Sequence, residues 1–126
     1  MAIAGAVLVI LAAALHVYIF LMESIWWTSE PTWRRFGVRS QADADTIRPM
    51  AYNQGFYNLF LAVGAALGLF LYFTGQPDPG AALVLFSTGS MVLAATVLAS
   101  SGRPYLRPAL IQGTLPLAGF VFFLLA

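Results

Sequence analysis

Four long apolar runs separated by polar connections organise this chain. A helix rises about 1.5 Å per residue, so about 20 consecutive apolar residues match the hydrocarbon thickness of a bilayer. The pattern predicts membrane-spanning helices over residues 2–22, 50–73, 81–100 and 108–126. The first run lengthens toward Ser24, Ile25, Trp26 and Trp27, where paired indoles mark the headgroup boundary. Ala12, Ala13 and Ala14 resemble a small-residue cleavage site, but no positive residue precedes the run and hydrophobicity resumes through Phe20, Leu21 and Met22. It reads as a retained helix rather than a secretory signal.

The longest connection, residues 28–49, holds Glu30, Arg34, Arg35, Arg39, Asp43, Asp45 and Arg48. Thr28 or Ser29 can cap a short interfacial helix with Pro31 in its first turn, and Ser40 with Asp43 offers a second capping signal. Trp26, Trp27 and Trp33 read as interfacial anchors. Thr74 to Gly80 is dense in turn residues, so the second and third spans should form an antiparallel hairpin. Gly64 and Gly68 have the spacing that lets membrane helices approach closely, within the chain or in a homo-oligomer. Four Arg lie between the first and second spans, two between the third and fourth, and none in the remaining loop. The excess of positive charge on one side predicts that side to be cytoplasmic, with both termini outside.

Composition narrows the picture. Of 126 residues, 60% are hydrophobic and 9% charged, too little polar surface for a soluble domain, so membrane lipid is the expected surrounding. The length suits a single transmembrane domain, all-α and built as a four-helix bundle. A net charge of +1 argues against binding nucleic acid. Without Cys there is neither a thiolate nucleophile nor a cysteine metal site. One His with scattered carboxylates makes a poor metal set, so neither a metal nor another cofactor is expected.

Candidate chemistry lies in the exceptions to the apolar pattern. An ionisable group in hydrocarbon costs several kcal/mol unless paired, hydrated or neutral. His16 and Glu23 are such groups, seven residues apart and near one helix face, about 10 Å from one another along the axis. The second span contributes Asn53, Gln54, Tyr57 and Asn58 as two i to i+4 pairs. The fourth adds Gln112, Thr114 and Pro116, and the proline withholds an amide from the carbonyl of Gln112. With the orientation above, Glu23, Asn53, Asn58 and Gln112 share the cytoplasmic leaflet, with Arg48, Arg103 and Arg107 near the rim. A polar pocket opening to that interface is expected to bind a ligand through His16, Glu23, Asn53, Gln54, Tyr57, Asn58 and Gln112. The competing reading is helix packing: interhelical hydrogen bonds of this kind are worth about 0.6 kcal/mol each. Glu23 would then be an interfacial carboxylate paired with Arg34, Arg48 or Arg107.

The order His16, Glu23, Trp27, Arg35-Phe36-Gly37, Asn53-Gln54-Gly55-Phe56-Tyr57-Asn58, Phe60-Leu61-Ala62, Gln112 and Pro116 resembles the family catalogued as domain of unknown function 1304. The resemblance spans essentially the whole chain, and the Asn-Gln-Gly-x-Tyr-Asn block carries it most specifically. It implies a four-helix protein of the bacterial inner, cytoplasmic membrane, crossing it several times, and supplies no activity.

Three functions compete, beside a purely structural or partner-binding role in which the basic first loop could dock anionic lipid. The first is a binding site for a small amphipathic or lipid-like molecule. The second is a membrane enzyme, a proton-transfer isomerase or hydratase-like catalyst on a lipid or isoprenoid, with His16 or Glu23 moving the proton. The third is a proton-coupled small-molecule transporter, for which four helices suffice only as a dimer.

Overall fold

The computed structural model describes every residue from Met1 to Ala126, and all of its regular secondary structure is helical. Helix α1 (Ala2–Phe20) continues into a five-residue π turn (Leu21–Ile25), and a short α2 (Glu30–Arg35) follows. Then come α3 (Gln41–Phe73), α4 (Pro77–Ser100), a 3-10 turn (Arg103–Tyr105) and α5 (Leu106–Leu124). Four of these segments are long and apolar enough to cross a membrane: Ala2–Ile25, Gln41–Phe73, Pro77–Ser100 and Arg103–Leu124. The protein is an all-α, multi-pass membrane protein. The second span is thus part of a longer helix that starts at Gln41, before the apolar run, where the Asp43 N–H donates to the Ser40 hydroxyl at 3.1 Å. Pro49 lies inside this helix.

Two compact units are distinguishable. The first comprises Met1–Leu15 and Leu61–Ala126, and it is a four-helix bundle. Val9 from α1, Ala65 and Leu69 from α3, Val84 and Met91 from α4, and Phe123 from α5 form its core. Small residues let the backbones close up. A Cβ on Gly68 would lie 2.8 Å from the Val84 backbone nitrogen and 2.9 Å from the Gly80 oxygen, and one on Gly64 would meet the Ser87 hydroxyl at 2.6 Å. The Gly64/Gly68 face is therefore spent on packing α3 against α4 inside the chain. Between those helices, Gly75 takes φ 101° and the Gln76 N–H bonds the Leu71 carbonyl at 2.9 Å, a left-handed helix stop. Pro77 then opens α4 at a position where a missing N–H costs nothing.

The second unit is His16–Phe60. Its core is small: Trp27, Trp33, Ala44 and Ala51, with Phe36 and Val38 packed on it. The Trp27 indole donates to the Ala44 carbonyl at 3.0 Å. Gly37, at φ 78°, ends α2 and turns the chain so that the Val38 N–H bonds the Trp33 carbonyl at 3.2 Å. That motif drops Val38 onto the tryptophan cluster. The anchor reading of the three tryptophans is corrected in part: Trp26 is 45% exposed, whereas Trp27 and Trp33 are 4% and 3% exposed and fold the connection. Their indoles are large enough to make a core where the surrounding sequence is polar.

Candidate functional site

The π turn decides where Glu23 points. Its signature is the Trp26 N–H donating to the Leu21 carbonyl at 2.7 Å, five residues back instead of four. Such turns accommodate one residue more than an α turn and recur at functional sites. Glu23 sits in the middle of this one, 5% exposed.

Helix α3 supplies its partner. The Asn58 Nδ2 donates to Glu23 Oε1 at 2.8 Å and to the Gln54 carbonyl at 3.1 Å, so one amide is oriented by its own helix while it holds the carboxyl. Three residues before Asn58, Gly55 is buried. A Cβ there would overlap the Ser24 hydroxyl and lie 3.1 Å from the Cβ of Glu23, so only glycine admits this approach without a shift. The closeness lets the Ser24 hydroxyl donate to the Tyr52 carbonyl at 2.8 Å. On the other side of Gly55, Phe56 packs edge-on against Phe20, centroids 5.0 Å apart. The result is a carboxyl, an amide and a hydroxyl fixed along one seam of this unit.

The pairing of Glu23 with Arg34 or Arg48, which the packing alternative called for, is not made. Arg34 pairs with Glu30 at 2.6 Å on the surface, and that is the ion pair of the structure. Glu23 thus meets an amide where a cation would be the usual partner of a buried carboxylate.

His16 is 2% exposed and engaged with a partner of its own. Asn53 and Gln54 present exposed side chains, and Gln54 takes part through its backbone carbonyl. Tyr57 is 61% exposed, its ring edge-on to Phe60. Gln112 belongs to the other unit, half-buried on α5 one turn before the buried Pro116. Cavities occur in that other unit as well. One of about 300 Å³ is lined by residues such as Ala95, Ala109 and Leu117. A second of about 460 Å³ is lined by residues such as Phe86, Leu93 and Phe120. None of the seven polar candidates lines either one.

Sequence reasoning passed over Ser24 and Gly55, although both stand beside residues it chose. The signal was present in the Asn-Gln-Gly-x-Tyr-Asn block, where a glycine three residues before an asparagine sets a close approach beside a donor on one helix face. The π turn has no signal of its own in the residues.

Comparison with curated proteins and with solved structures finds no match. The model of one family, described as a protein of unknown function (DUF1304), matches residues 10–124, and with the match covering nearly all of its length, the chain belongs to that family.

Proposed function

We propose that the protein binds a small amphipathic or lipid-like molecule through Glu23 and Asn58, with the polar head of the ligand at the seam and its apolar part alongside the spans. The observation that carries this reading is the buried carboxyl of Glu23, held by an amide and facing no cation. Stability alone is poorly served by such a group, since an apolar side chain fills the same volume without the cost of desolvation. Glu23 offers acceptor oxygens beside the amide, which suits a head that donates, an alcohol or an amine. His16, about two turns earlier on the same helix, is the second group proposed to reach the ligand.

The test is thermal stability of the purified protein with dodecanol, dodecylamine or lauric acid added. Dodecanol or dodecylamine should raise the unfolding midpoint selectively, and Glu23→Gln and Asn58→Ala should abolish the increment. Equal shifts for all three compounds, or shifts unchanged in both variants, would show that the seam is packing and not a site.

A further inference from the structure

A second polar arrangement lies on the exposed side of the same unit, and Glu23 takes no part in it. Arg35, the last residue of α2, donates from Nη1 to the Tyr18 hydroxyl at 3.4 Å, across 17 residues of sequence. Tyr18 is 40% exposed within the first span, and its ring lies edge-on to that of Trp26, centroids 6.4 Å apart. On a uniform α-helix two residues eight apart would differ by about 80° around the axis, and the wider π turn takes up part of that difference. Neighbouring Val17 and Ile25 are exposed apolar side chains.

Charge is what makes the arrangement more than an aromatic belt. Arg34, next in sequence, is neutralised by Glu30, whereas Arg35 has a phenol and no carboxylate. Its cation is thus held, uncompensated, against the flank of a membrane-spanning segment with apolar surface on either side. A guanidinium matches two oxygens of a phosphate at once, while the phenol and the indole N–H supply further donors. A soluble phosphate would gain nothing from Val17 and Ile25. A phospholipid brings its own chains to them.

We infer that Arg35, Tyr18 and Trp26 form a seat for the phosphodiester of an anionic phospholipid. The seat holds one lipid of the surrounding leaflet against the end of the first span. This is separate from the ligand at Glu23 and does not depend on it.

The experiment uses the full chain in mixed micelles containing equimolar phosphatidylglycerol and diacylglycerol with the same acyl chains, and native mass spectrometry counts the lipids retained. Wild type should keep phosphatidylglycerol in preference to diacylglycerol. Arg35→Gln should weaken retention about fivefold, the effect of one interfacial cation. Arg35→Lys should fall between, having charge without the fork. Arg39→Gln, at an exposed arginine that makes no such contact, should weaken retention clearly less than Arg35→Gln does. Because Arg35 is exposed, the thermal midpoint of Arg35→Gln in detergent alone should match wild type, and if it does not, Arg35→Lys carries the comparison. Equal losses in the Arg35 and Arg39 variants, equal retention of diacylglycerol, or displacement of the lipid by millimolar inorganic phosphate would each overturn the assignment.

Discussion

At the residue scale, removing Asn58 leaves the buried Glu23 carboxyl without its amide, whereas removing Glu23 leaves a half-buried Asn58 amide that still donates to the Gln54 carbonyl. Asn58→Leu should therefore destabilise by about 1–3 kcal/mol, and Glu23→Leu by less. The double variant should cost clearly less than the sum of the two, because the carboxyl orphaned by Asn58→Leu is then absent. Denaturant titration of the three variants in mixed micelles gives the coupling, and simple additivity would contradict the interaction. Gly55→Ala should cost about 1–3 kcal/mol by forcing its new methyl group onto Ser24, and adding Ser24→Ala should recover part of the loss. His16 and Glu23 were legible as special positions because an ionisable residue stands out in an apolar run, and both are buried. The partner of Glu23 was not, since several amides share the same stretch of α3 and only the approach permitted by Gly55 selects Asn58.

The connection between the first two spans shows what happens at the scale of elements. The capping residue Ser40 was readable, as was a short helix with Pro31 near its start, because both follow from backbone groups that need partners. That the apolar run from Met50 continues a helix begun at Gln41 was hidden by the charges of that segment, which marked it as a loop. Charged residues and helix are compatible wherever one face finds something to pack on, and here Ala44 and Ala51 find Trp27 and Trp33. The two indoles differ in a way that can be measured. Trp27 donates to the Ala44 carbonyl, whereas the buried Trp33 Nε1 has no acceptor. Trp27→Phe should lose a hydrogen bond worth about 1 kcal/mol, while Trp33→Phe should cost less because it removes an unsatisfied donor. Hydrogen exchange over residues 28–48 should accelerate more in the first variant than in the second.

For the whole molecule, four spans were legible from apolar run length alone, and the bundle of the larger unit follows from the small residues that line its contacts. Gly68→Ala should destabilise more than Gly64→Ala, by about 1–3 kcal/mol, because the first meets backbone and the second a hydroxyl that can rotate away. The distribution of arginine gives a test of orientation that a cysteine-free chain makes simple. Arg39→Cys should react with an impermeant maleimide from the cytoplasmic side, and Asp78→Cys from the opposite one. The π turn has a further consequence, for chain length. It is held open within its unit from both ends: Glu23 is tied to Asn58 inside the turn, and Trp27 is tied to Ala44 just beyond it. Removing one residue between them would close the turn to ordinary α winding, and Glu23 would lose the widened turn that aims it at Asn58. The interval from Glu23 to Trp27 is therefore a matter of counting: side chains there can be exchanged more freely than the number of residues can change.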